Sequence, residues 1–182
     1  AYPVLVPNEQ GYERARAVGA DEVAVFTAAS EAFNRKNINA SIDESFARFA
    51  EFVPQARQEG LRVHGYISTC LDCPYEGPVP PGKVVEVAVR LREAGCDEIS
   101  IGDTIGVAVP SQVDNVIAAV SGHVDVSRLA VHFHDTRGTA LANVLRALQL
   151  GVTTVDSSAG GLGGCPYAPG ASGNLATEDL VY

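Results

Sequence analysis

Short apolar runs alternate along the chain with longer stretches in which apolar residues recur every three or four positions. The first pattern reads as buried strands and the second as helices with one face turned to a core. Strands are expected at 4–6, 22–26, 61–67, 98–101, 129–133 and 152–156. Helices are expected at 9–18, 41–58, 80–94, 110–120 and 139–150, with Gly19, Gly60, Gly95 and Gly151 at their ends. The second of these opens on Ser41-Ile42-Asp43-Glu44, where a Ser followed three residues later by Glu satisfies the first free amides of a helix. The polar run Asn34-Arg35-Lys36-Asn37-Ile38-Asn39 reads as a loop that meets a charged substrate group or is simply solvated.

Regular strand–helix alternation predicts a parallel α/β sheet, either a doubly wound open sheet or a (β/α)8 TIM barrel. Polar residues decide between them. They gather where strands end: 27–31, Ser68-Thr69-Cys70, Ser100 to Thr104, His132 to Asp135 and Asp156-Ser157-Ser158. A barrel collects functional groups from many strands on that face, whereas a doubly wound sheet concentrates them at one switch point. The chain has no Met, opens on what reads as a strand under way, and closes on what reads as a helix barely begun at 177–182. The expectation is therefore a single catalytic TIM-barrel domain over 1–182, truncated at both ends and covering roughly strands 3 to 8.

The chemistry starts at Val131-His132-Phe133-His134-Asp135. On a strand, His132 and His134 share one face while Val131, Phe133 and Asp135 take the other. Two neutral imidazoles at a strand end suit a divalent cation; the alternative is a pair of hydrogen-bonded structural histidines. Asp103-Thr104-Ile105-Gly106 follows another apolar strand, and Asp103 there either serves a ligand or caps a turn. The segment Gly160 to Asn174 holds six glycines in fifteen residues, a pliable loop able to close over a substrate. It lacks the Gly-Lys-Ser/Thr ending of a phosphate loop. Cys165 within it is a candidate acid or base, and Asn174 at its far end a candidate oxygen ligand. Cys70-Leu71-Asp72-Cys73 has no second cysteine pair to complete a zinc site. His64 and His123 read as structural or surface residues.

Bulk properties narrow the partners. Of 182 residues, 46% are hydrophobic and 19% charged, an ordinary globular composition. The net charge of −9 argues against nucleic acid and anionic membranes, and no apolar run approaches the length of a membrane span. Four cysteines without a disulfide framework suit a reducing compartment.

In Lys36-Asn37-Ile38-Asn39, Cys73-Pro74-Tyr75-Glu76-Gly77, the 131–136 segment and Gly161-Leu162-Gly163-Gly164-Cys165-Pro166-Tyr167, and along its whole length, the chain resembles the 3-hydroxy-3-methylglutaryl-CoA lyase family. The wider group comprises metal-dependent lyases and Claisen-type synthases on TIM barrels. The resemblance implies cleavage of 3-hydroxy-3-methylglutaryl-CoA to acetyl-CoA and acetoacetate, a step of leucine degradation and ketone-body formation, with Mg²⁺ or Mn²⁺. It implies His132, His134 and Asn174 as metal ligands, and Cys165, His132 and Asp103 as catalytic groups. Asn37, Thr104, Gly163 and Gly164 would contact a CoA thioester. A homodimer is implied, in the cytoplasm of a bacterium or the mitochondrial matrix of a eukaryote. The Arg-Asp pair of the family's first strand is missing, so these residues alone are expected to be inactive. Rival readings are an isopropylmalate- or homocitrate-synthase-like condensing enzyme and a non-catalytic CoA-ester-binding barrel; the Cys165 loop argues against the first, and the joint presence of His132, His134, Cys165 and Asn174 against the second.

Overall fold

The computed structural model describes residues 3–164, 166 and 173–182. Its elements are, in chain order, β1 (Val4–Leu5), α1 (Glu9–Ala17), β2 (Glu22–Ala28), α2 (Glu31–Ile38), α3 (Ile42–Gln58), β3 (Arg62–Ser68), β4 (Asp72–Cys73) and β5 (Gly77–Pro78). There follow α4 (Pro81–Ala94), β6 (Glu98–Asp103), α5 (Pro110–Ser121), β7 (Leu129–Phe133), α6 (Ala140–Gln149), β8 (Thr154–Asp156) and α7 (Thr177–Val181). Six strands form one sheet in the order β1-β2-β3-β6-β7-β8, every neighbouring pair parallel. β4 and β5 make a separate antiparallel hairpin. The order of the main sheet never reverses, so it has no switch point. This is the singly wound order of a barrel, and the sheet is a curled part of one.

The two-residue period of the strands gives the sheet two different faces. On the outer face Val23, Val25, Val63, Ile67, Ile99, Ile101, Leu129, Val131 and Phe133 join one buried cluster. The helices close over them with Phe49, Phe52 and Val53 of α3, Leu91 of α4, Ile117 of α5 and Val144 of α6. The inner positions include His64, Tyr66, Ser100, His132 and Asp156 beside Phe26 and small residues such as Ala24, Gly102 and Ala130, a more polar set than the branched apolar residues that usually fill barrel interiors.

Local signals account for the helix starts. Ser41 and Glu44 form the reciprocal capping pair expected from the sequence, and Pro81 and Pro110 occupy first turns, where a missing amide proton costs nothing. One expectation fails. Residues 34–38 are the second half of α2 rather than a loop, with only Asn39 outside it in a left-handed conformation. The Ser30 hydroxyl caps this helix by accepting from the Phe33 amide, and Arg35 pairs with Glu31 one turn earlier. Buried Asn34 is spent on structure: its amide donates to the Ala40 carbonyl at 3.0 Å and to Ser45 at 2.8 Å. Phe33 is the only strongly apolar side chain before Ile38, so no periodic stripe reveals the helix.

Phe52 is fully buried and stacks on Tyr12 with ring centroids 5.6 Å apart, locking α1 to α3. Phe52→Ala leaves a cavity there and is expected to lower unfolding free energy by about 3–5 kcal/mol, read as a shift of the urea midpoint at unchanged slope.

Candidate active site

The C-terminal ends of the strands surround a cavity of about 490 Å³, lined among others by Phe26, Tyr66, Thr104, His132, His134 and Asp156. His132 lies on the inner face of β7, in register with Gly102 on one side and Asp156 on the other. Gly102 has no side chain to spare: a Cβ there would sit 2.7 Å from the Ile67 carbonyl oxygen of β3.

Asp156 organises the floor of this cavity. Its Oδ2 lies 3.1 Å from His132 Nδ1 and accepts from Ser100 at 3.4 Å, and the carboxylate also accepts from the Tyr66 hydroxyl. Burial would raise its pKa, but the hydrogen bonds and charge of His132 and the Tyr66 bond outweigh that and hold the carboxyl below the usual range. Tyr66 responds oppositely, pushed upward by burial and by Asp156, so it stays protonated as a donor. An ionised Asp156 places the His132 proton on Nδ1, a tautomer assigned from this network, and leaves Nε2 with its lone pair free.

His134 continues the inner face beyond the strand end and is 6% exposed. Burial, reinforced by the nearby His132, lowers its pKa to about 4, so it stays neutral across physiological pH. The two imidazole centroids are 5.4 Å apart. The backbone of Asn174 forms an isolated antiparallel bridge with His134, which brings the far end of the glycine-rich segment against β7. The Asn174 amide nitrogen donates to the Leu162 and Gly163 carbonyls, both at 3.0 Å, which orients the group. Its Oδ1 and the Nδ1 of His134 are buried with no hydrogen-bond partner among the described residues. Buried polar atoms are rarely left unpaired, and two of them beside a fixed imidazole are the donor set a cation would complete. The residues present therefore fit a divalent metal.

The remaining expected residues divide. Thr104 lines the cavity, and its hydroxyl accepts from the Thr69 amide at 2.7 Å. Asp103 is not among the residues that line it. Its carboxylate accepts from the Gly106, Val107 and Ala108 amides at 3.0–3.3 Å, and burial pushes its pKa up against their pull. Asp103 sits one residue past Gly102 and so shares the outer face with Ile101, where turn capping is the available work. Asn37 is exposed on α2, and Gly163 and Gly164 are exposed; none of the three lines the cavity. Gly163 contributes instead by orienting Asn174. Cys165 lies outside the described residues. Sequence reading missed Tyr66 and the roles of Ser100 and Asp156; the last two stood only among the noted strand-end polar residues, because pairing across strands leaves no local pattern.

The HMGL-like family profile matches residues 1–182. The chain belongs to the HMGL-like family. It is 60% identical over 181 residues to the mitochondrial hydroxymethylglutaryl-CoA lyase of Bos taurus, covering 100% of this chain and 56% of that protein. Relatives named as mitochondrial and as cytoplasmic both occur. Among solved structures, the HMG-CoA lyase of Brucella melitensis superposes with a TM-score of 0.96 at 48% identity, over 99% of this chain and 64% of that one. An HMG-CoA lyase of Acinetobacter baumannii in complex with coenzyme A and 3-methylmalate gives 0.92 at 39% identity, over 99% and 59%. The chain thus spans a little over half the length of the curated relatives it matches. No described helix is long and apolar enough to cross a membrane.

Two substitutions test this HMGL-like site. Asp156→Asn keeps the shape but removes the charge that fixes His132, and Mn²⁺ affinity by calorimetry should fall about 10–100-fold. Gly106 has φ +63°, and a Cβ there would meet Thr136 Oγ1 at 2.6 Å and the His134 carbonyl at 2.8 Å. Gly106→Ala should therefore displace His134 and weaken Mn²⁺ binding as well as thermal stability, whereas loss of stability alone would separate the turn from the site.

Proposed function

We propose that the protein is a divalent-metal-dependent lyase that cleaves 3-hydroxy-3-methylglutaryl-CoA to acetyl-CoA and acetoacetate. The observation that carries this reading is the pair of unpaired buried atoms on His134 and Asn174 beside the Asp156-fixed His132, in a chain 60% identical to a curated lyase of that name. The six strands then form the metal-bearing side of an eight-stranded barrel with one catalytic domain. The coenzyme A found in the Acinetobacter baumannii structure supports a CoA thioester as substrate. We assign a homodimer, located in the mitochondrial matrix of a eukaryote or the cytoplasm of a bacterium.

His132, His134 and Asn174 would hold Mg²⁺ or Mn²⁺, which when bound lowers the pKa of a chelated hydroxyl and fixes its geometry. In the retro-Claisen step the carbon–carbon bond next to the tertiary alcohol breaks. Its electron pair passes to the departing thioester enolate as the alcohol oxygen gives up its proton to water in the cavity and becomes the ketone of acetoacetate. Asp156 keeps the His132 lone pair aimed at the cavity throughout. The Nδ1 proton of His132 is committed to Asp156, so its chief part is to bind and orient. Cys165 is the group we assign to protonate the enolate carbon, and Thr104, just past the end of the adjacent strand β6, offers a fixed hydroxyl. Asp103 serves indirectly by holding the turn that carries Thr104.

Acetoacetate release from 3-hydroxy-3-methylglutaryl-CoA by the intact protein with Mg²⁺ tests the assignment. Cys165→Ala should lower kcat by roughly 10²–10⁴, the usual worth of a positioned proton donor. His134→Ala should remove Mg²⁺ activation. Condensation of acetyl-CoA with a 2-oxo acid, without acetoacetate formation, would sink the proposal in favour of a synthase.

A further inference from the structure

The opposite end of the barrel interior carries a second cluster of metal-ligating groups that the lyase reading does not use. Glu22 opens β2, His64 is the third residue of β3 and Glu98 opens β6, and β3 pairs with β6 so that His64 lies in register with Glu98. All three point to the inner face, below Tyr66, whose ring stacks on His64 with centroids 4.4 Å apart.

His64 is 4% exposed, yet its imidazole is poorly satisfied. Nδ1 stands 3.5 Å from Glu98 Oε2 and 3.8 Å from Glu22 Oε1, at or beyond the limit of a hydrogen bond. Nε2 is buried with no partner among the described residues. Glu22 is 8% exposed and makes no hydrogen bond among those residues. Glu98 gives one oxygen to the Thr154 hydroxyl at 2.6 Å and meets Arg62 only at 3.7 Å, an arginine whose side chain is 60% exposed. Burial lowers the pKa of His64, so the ring is neutral at pH 7 and supplies no charge to balance two enclosed carboxylates. One neutral nitrogen and two anionic oxygens facing one another are a ligand set without its cation.

The distances suit an ion. One ligand atom from each residue lies within 4.8 Å of the others. With metal–nitrogen and metal–oxygen bonds of about 2.0–2.2 Å, ligands on adjacent tetrahedral corners sit about 3.4 Å apart. The two separations from His64 are already near that value, and a small rotation of Glu22 closes the third. We propose that Glu22, His64 and Glu98 form a second divalent-cation site, of the mixed nitrogen and carboxylate type that takes Zn²⁺ or Mn²⁺, at the strand N-terminal end of the barrel interior. It is distinct in residues and position from the His132–His134–Asn174 site and does not depend on the lyase assignment. An ion there ties β2, β3 and β6 together beneath Tyr66, and through Tyr66 it supports Asp156.

Zn²⁺ titration of the intact protein by calorimetry, with bound metal counted by elemental analysis after dialysis, tests the site. In the His132→Ala/His134→Ala background one Zn²⁺ per chain should remain and should raise the thermal midpoint by several degrees. Adding His64→Gln should abolish both effects, and Glu22→Gln should weaken Zn²⁺ binding at least tenfold. In the otherwise unaltered protein, His64→Gln should lower the count by one, which keeps the test decisive if the double variant does not fold. Circular dichroism without metal confirms that each variant is folded. Absence of Zn²⁺ binding in the folded double variant, or an unchanged count and affinity in His64→Gln, overturns the proposal.

Discussion

Asp156 is the half-buried charge on which the inner face of this sheet turns. A carboxylate partly withdrawn from water is tolerated where donors replace the lost solvent, and three strands supply them: Ser100 from β6, His132 from β7 and Tyr66 from β3. The arrangement works in both directions. Asp156 stays ionised because those donors converge on it, and His132 keeps one tautomer because Asp156 stays ionised. Shifting any of the strands by one residue would send these side chains to the helix layer and bring valines into the cavity.

That register is held from outside. The apolar positions of β2, β3, β6 and β7 are committed to one continuous core with α3 to α6, and this burial leaves the polar positions no alternative to the interior. The main chain helps at the strand ends, where Asp103 gathers three amides of the following turn and Gly106 packs against the His134 carbonyl. Residues that never touch the cavity thus decide where His134 and Thr104 stand. The same polar alternation continues to the lower end of the barrel, where it produces the Glu22, His64 and Glu98 cluster.

Much of this was legible in the residues. The six sheet strands and five of the helices follow from hydrophobic period, and the Ser41–Glu44 capping pair forms as its spacing implies. The likeness carried by the His132–His134 and Gly160–Asn174 segments agrees with the family match over the full chain. What failed did so for a local reason: the helix over Glu31–Ile38 is built from polar residues anchored by a single aromatic. Of the two uses open to Asp103, which differ in the face it occupies, the structure shows the turn cap.

By itself, then, the sequence determined the alternation of elements, the shared face of His132 and His134, and the family, since each depends on residue type and spacing along one segment. Only the tertiary structure decided which acids serve which histidines. Asp156 lies 24 residues from His132, and Glu22 and Glu98 flank His64 from different strands; such partnerships are set by strand pairing and burial, which bring together groups that no local pattern connects.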